Sequence, residues 1–104
     1  MYDYDFFSER LSALRMKKGV SARDMSLSIG QSPNYINKIE NRKSYPSMAV
    51  FFYICEYLGI APKEFFDTDA PNPARLNELI TELNRLDDDQ LSHMLALARG
   101  LKKR

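Results

Sequence analysis

Gly19, Gly30 and Gly59 each stand where a run of apolar residues at helical spacing stops, and that punctuation constrains the chain more than any other feature. Phe7, Leu11 and Leu14 recur at i, i+4 and i+7 ahead of Gly19. Met25 and Ile29 share a face ahead of Gly30, and the crowded run from Met48 to Leu58 ends at Gly59. Glycine enters the left-handed backbone region that closes a helix at little cost, so the pattern reads as short helices, each stopped by a glycine. No segment sustains the period-2 alternation of a half-buried strand. The chain is therefore expected to be all-α.

The first helix is expected from about Phe6 to Lys18, with Asp5 as its cap, and the second from about Ala22 to Ile29, begun by Ser21 and Asp24 in a capping-box-like pair. Ser32 as N-cap with Pro33 as the first helical residue starts the third, which reaches about Asn41. Pro46 biases Tyr45 away from helix, so "RKSYPS" is a loop. The fourth helix runs from about Met48 to Leu58 behind Ser47. Its Met48, Val50, Phe51, Phe52, Ile54, Cys55 and Leu58 leave little polar face, so it is expected to be the most buried. A short fifth helix, Pro62 to Phe66, brings Phe65 and Phe66 to the core.

"DTDAPNP", with two prolines, reads as a linker, which places the expected domains at residues 1–67 and 68–104. Beyond it Asn72-Pro73 repeats the cap-then-proline device, and Leu76, Leu79, Ile80, Leu83 and Leu86 form an apolar stripe. Asp87 to Asp89 break that helix and favour a new N-terminus through the helix dipole. Leu91, Met94, Leu95, Ala98 and Leu101 stripe the last helix, and "LKKR" sets cations at its end. A hairpin of about thirty residues cannot bury both stripes alone. The stripes are a candidate homodimer surface; the alternative is that they fold back onto the fourth and fifth helices of the same chain.

Whole-chain charge says little: 15 Lys and Arg against 14 Asp and Glu leave a net of +1. Its distribution says more. Between Arg10 and Lys43 eight basic residues face two acidic ones, whereas from Asp67 onward six basic face seven acidic. Positive charge is concentrated in the first half, where it can form a local anion-binding face. On a wheel of about 100° per residue, Asn34, Asn37, Lys38 and Asn41 fall within one sector of the third helix, and Tyr35, Ile36 and Ile39 fall on the far side. Asn can pair with adenine N6 and N7 in a major groove, and Lys can donate to guanine O6 and N7. A plain solvated face is the alternative.

Two short helices joined by a glycine-containing turn, then a polar-faced helix, make a helix-turn-helix pattern. Through "RLSALRMKKGVSARDM", "IGQSPNYINKIENRKSYPS" and "YLGIAPKEFF", residues Arg10 to Phe66, about 57 of 104, resemble the phage-repressor and Cro-type (Xre) helix-turn-helix family. The resemblance implies a five-helix repressor-like domain, here followed by the C-terminal helical hairpin. It also implies sequence-specific binding of double-stranded DNA and a transcriptional regulator, a repressor foremost. Pro33, Asn34, Asn37 and Lys38 align with positions that approach base edges. Asn41, Lys43 and Ser44 align with positions that hold phosphates, where Arg42 and Tyr45 can assist. Arg15 and Glu40 align with a pair joining the first and third helices. The helix starts at Ser21 and Ser32 can also offer backbone N–H groups to phosphate.

There are two departures from the family. Ala22 stands where the family often has a phosphate-clamping Gln, so Arg23 or Lys17 must supply that contact. Arg42 stands where the family often has Gly, so either Asn41 or Arg42 takes the left-handed conformation at some cost or the turn differs.

A single module reads few base pairs, so a homodimer on a two-fold operator is expected, with half-sites ~34 Å apart. The rival from another class is a protein-interaction module, such as an antirepressor or an antitoxin-like partner with weak or secondary DNA binding. A ligand-sensing repressor lacks a visible sensor domain, so no small-molecule effector is expected. No cofactor, metal or enzymatic activity is expected either: there is no Gly-rich phosphate loop, His93 is the lone histidine, and Cys55 reads as a small core residue. Asp87 to Asp89 read as a helix start and not as a cation site. The lone cysteine fits a cytoplasmic protein and allows no intrachain disulfide. "MYDYDFF" lacks the basic start of a signal peptide, and no apolar run is long enough to span a membrane.

Overall fold

The computed structural model describes residues 2–69 and 72–102. Seven helices follow one another along them: α1 Tyr4–Lys18, α2 Ala22–Ser28, α3 Tyr35–Glu40, α4 Met48–Leu58, α5 Pro62–Phe66, α6 Pro73–Leu83 and α7 Asp88–Lys102. No strand occurs among the described residues. Ala70 and Pro71 of the expected linker, and Lys103 and Arg104 of "LKKR", lie outside them.

The chain divides into two compact units, Met1–Ala74 and Arg75–Arg104. The first extends past the expected boundary at residue 67. It takes in Pro73, which is fully buried, and Ala74, which packs against the hydrophobic core.

One face of each of α1 to α5 builds that core. Leu11, Met25, Ile36, Ile39, Ile54 and Phe65 are its most deeply buried members, each contributing roughly 1.5–3 kcal/mol by leaving water. The Phe65 ring lies 4.8 Å from that of Phe7 and meets Phe51 edge-on at 5.2 Å. α4 is less enclosed than its composition suggests. Val50, Phe51, Ile54, Cys55 and Leu58 meet the core, but Met48 is 66% exposed and Phe52 and Tyr53 are each 50% exposed. Phe66 also stays at the surface, where its ring stacks on Phe6 at 6.2 Å and meets Tyr2 edge-on.

Helix ends follow local chemistry with two corrections. α1 starts earlier than expected because Asp3, not Asp5, is the cap: its carboxylate accepts from the Phe6 N–H at 3.0 Å. Asp5 instead falls in the first helical turn. The second correction is α3, which starts at Tyr35, with Asn34 as a cap residue that makes no side-chain hydrogen bond. Ser32 and Pro33 therefore precede the helix. Ser21 and Ser47 cap α2 and α4 by accepting from Asp24 N–H at 3.0 Å and Val50 N–H at 3.2 Å. Gly30 ends α2 at φ 78, and the Gln31 N–H reaches back to the Ser26 carbonyl at 2.9 Å. At α7, Asp87 and Gln90 cap each other's backbone N–H at 2.8 and 3.0 Å.

Arg10 sits on the apolar side of α1 and closes α5. Its Nε donates to the Phe65 carbonyl, and its Nη2 donates to those of Glu64 and Asp67 at 2.8 Å. Burial pulls the guanidinium pKa down, and the nearby Asp67 carboxylate opposes that shift. In the second unit Leu76, Leu79, Ile80, Leu91, Met94, Leu95 and Leu101 are between 38% and 58% exposed, while Leu83 and Leu86 are half-buried.

Candidate nucleic-acid interface

α2, the turn at Gly30, and α3 form the site, and a buried serine joins the two helices. Ser26 Oγ donates to the Ala22 carbonyl at 2.7 Å within α2 and accepts from the Ile36 N–H of α3 at 3.0 Å. A helix start leaves its first N–H groups without intrahelical partners. Here a hydroxyl from the preceding helix serves one of them, and the Tyr35 N–H turns back to the Ser32 carbonyl at 3.1 Å. This accounts for the late start of α3: the Ile36 N–H, which a helix begun at Ser32 would bond to the Ser32 carbonyl, goes to Ser26 instead, and that carbonyl takes Tyr35.

Ile36 and Ile39 anchor the buried face of α3, and Asn34, Asn37, Lys38 and Asn41 are all exposed on the other. Asn41 Nδ2 donates to Asn37 Oδ1 at 3.1 Å across one turn. Pro33 is half-buried beside them, and Ser32, Ser21 and Arg23 are exposed.

A partly buried ion pair fixes α3 against α1. Arg15 Nε and Nη2 donate to Glu40 Oε2 at 2.7 Å and Oε1 at 2.9 Å, and Nη1 donates to the Val20 carbonyl at 2.9 Å. Their side chains are only 17% and 13% exposed. The hydrogen bond to Glu40 raises the Arg15 pKa despite desolvation. Such a fork-to-fork pair fixes orientation as well as distance.

The far end of α3 is closed by Arg42, at φ 63. Its N–H bonds the Ile39 carbonyl and the Lys43 N–H bonds that of Lys38, as a glycine stop would allow. The Arg42 guanidinium pairs with Asp5 and Glu9 of α1. In the following loop Tyr45 stacks on Tyr4 at 4.1 Å and meets Phe7 edge-on at 5.6 Å. Its pKa is raised by desolvation, then by Tyr4 and Asp3. Lys43 is exposed and Ser44 half-buried.

Of the eight basic residues between Arg10 and Lys43, Arg10, Arg15 and Arg42 are engaged within the chain. Lys18 lies over the Tyr57 ring at 4.8 Å. Lys17, Arg23, Lys38 and Lys43 are exposed and belong to none of the ion pairs among the described residues. Sequence reasoning missed the roles of Ser26 and Arg10. The signal for both was a polar residue in a position the apolar stripe owns, beside Met25 and Ile29 or between Phe7 and Leu14.

Residues 8–70 match the family model described as a helix-turn-helix domain. The chain belongs to this family. A helix-turn-helix marks a DNA-binding regulator, in which the second helix of the motif meets base edges. α3 occupies that place here. Neither the curated proteins nor the solved structures yield a match to the chain. No helix among the described residues is long and apolar enough to cross a membrane.

Proposed function

We propose that this helix-turn-helix protein is a sequence-specific transcriptional repressor that binds double-stranded DNA as a homodimer on a two-fold operator. The observation that carries the reading is the division of α3. Its apolar side is locked by Ile36, Ile39, Ser26 and the Arg15–Glu40 pair, and its exposed side carries three amides and an ammonium. Asn34, Asn37 and Lys38, with Pro33 against the groove wall, read base edges. Lys43, Arg23, Asn41, Ser44, the Ser21 hydroxyl and the Tyr45 phenol hold phosphates and set the register. Arg42 serves mainly to turn the chain and balance Asp5 and Glu9. The exposed stripes of α6 and α7 supply the dimer surface. The protein acts in the cytoplasm by binding alone, without cofactor, effector or catalysis.

Selection of bound sequences from a random duplex pool tests this. A palindrome with half-sites about 10 bp apart is expected. No enrichment, with no duplex affinity at ~50 mM salt, would refute the reading. Lys43→Ala should weaken all duplexes alike and lower the salt slope by about 1.

The exposed apolar side of α4 (Met48, Phe52 and Tyr53) favours a second reading, a protein-interaction module of antirepressor or antitoxin-like kind. That reading calls for weak duplex binding and no enriched sequence.

A further inference from the structure

We propose that Asn41 is a positioning residue for base selection: by holding Asn37 Oδ1 it makes the Asn37 carboxamide present its NH2 group to the groove, which favours guanine over adenine. This rests on the base-reading role proposed above for α3. A carboxamide carries one acceptor oxygen and a two-donor NH2 on the same planar group. To take adenine in bidentate fashion, oxygen and NH2 must face one base edge together, the oxygen accepting from N6 and the NH2 donating to N7. In this protein Asn41 Nδ2 donates to Asn37 Oδ1 at 3.1 Å. The two residues stand four apart, Asn37 within α3 and Asn41 at its C-terminal cap, a spacing at which side chains are neighbours, so the bond draws the oxygen along the helix toward its C-terminal end. The NH2 is turned the other way. A group that offers donors suits guanine, whose major-groove edge carries two acceptors, N7 and O6.

The same bond links base reading to register. Asn41 uses one N–H of its NH2 on Asn37 and keeps the second for a phosphate. Both residues are exposed in the free protein, where water competes for the bond. Docking excludes that water, and a hydrogen bond inside a low-dielectric interface is electrostatically stronger. The orientation is therefore held most firmly when the base is being read.

The experiment is pool selection with the wild-type protein and with Asn37→Ala, Asn41→Ala and Asn41→Asp. Asn37→Ala identifies the half-site position that Asn37 reads, as the one position whose preference it relaxes. Wild type is expected to prefer guanine there by about fivefold or more. Asn41→Ala should cut that preference while leaving the other positions intact, a pattern that loss of a phosphate contact alone does not produce. Asn41→Asp goes further: a carboxylate only accepts, so it must take the Asn37 NH2 and turn Oδ1 outward. Preference should then move toward a base that presents a donor, cytosine N4 or adenine N6. A wild-type preference for adenine, or an unchanged preference in Asn41→Ala, overturns the inference while leaving the DNA reading in place. If Asn41→Asp repels the backbone and binds no duplex, Asn41→Ala decides alone. No enrichment by wild type sinks the DNA reading first, and this inference with it.

Discussion

Ser26→Ala should loosen the junction between α2 and α3 out of proportion to the one atom it removes. Ser26 is fully buried, and its hydroxyl is the partner of the Ile36 N–H. The Ala22 carbonyl, which also loses a bond, lies inside α2 and keeps a helical donor. The Ile36 N–H depends on that hydroxyl, because the turn at Ser32 is closed by the Tyr35 N–H and leaves Ile36 with no hydrogen bond inside α3. Leaving a buried donor unsatisfied costs about 1–3 kcal/mol. In a domain of this size each kcal/mol moves the melting temperature by about 4–8 °C, so a fall on the order of 10 °C is expected. The assay is thermal unfolding by circular dichroism at one fixed protein concentration, because a dimer's melting point moves with concentration. Hydrogen exchange at the Ile36 amide gives a local readout and should accelerate. A variant that melts within about 3 °C of wild type and protects Ile36 as before would refute the reasoning.

Arg15→Met strands Glu40 in a partly buried site and should cost about 3 kcal/mol in urea unfolding; Arg15→Met with Glu40→Leu should recover part of it. Gly30→Ala places a Cβ in open space but at φ 78, so the expected loss of about 1–2 kcal/mol is purely a backbone cost. Gly100→Ala, in open space within α7, should instead stabilise the second unit by about 1 kcal/mol, read as helicity on mild heating. Burial raises the Cys55 pKa from 9.0 to about 11. The folded thiol then stays neutral where the unfolded one ionises. Its contribution is full below about 9 and is lost as pH rises toward about 11. Urea midpoints across that range should fall less steeply in Cys55→Ala than in wild type.

The glycine stops were legible because each is a local matter: φ values of 71 to 78 at Gly19, Gly30 and Gly59 satisfy a need that the adjoining helix creates. The exposed stripe of α3 was legible for a similar reason, since helical periodicity decides which residues share a face once Ile36 and Ile39 are buried. The start of α3 was not. Ser32 and Pro33 carry a strong local signal, but a hydroxyl ten residues upstream overrides it. The formal charge of the first half also misled, because counting cannot see that the Arg10 guanidinium closes a helix or that Arg42 is paired with Asp5 and Glu9. Composition made α4 the most buried helix, and α4 does bury the largest share of its residues. What it could not show is that only one side of α4 meets the core, which leaves Phe52 and Tyr53 exposed.

The three carbonyls held by Arg10 lie 54, 55 and 57 residues further along the chain. Bonds of that span close only after the intervening helices have brought the two ends of the unit together. α5, five residues long, is too short to persist unaided. It should therefore be among the last elements to form and the first to open. A shortfall in the Arg10 contacts would show chiefly as faster unfolding, with the folding rate little changed. Resistance to proteases that cut at an opened α5 would then depend on a side chain of α1 as well as on the packing of Phe65.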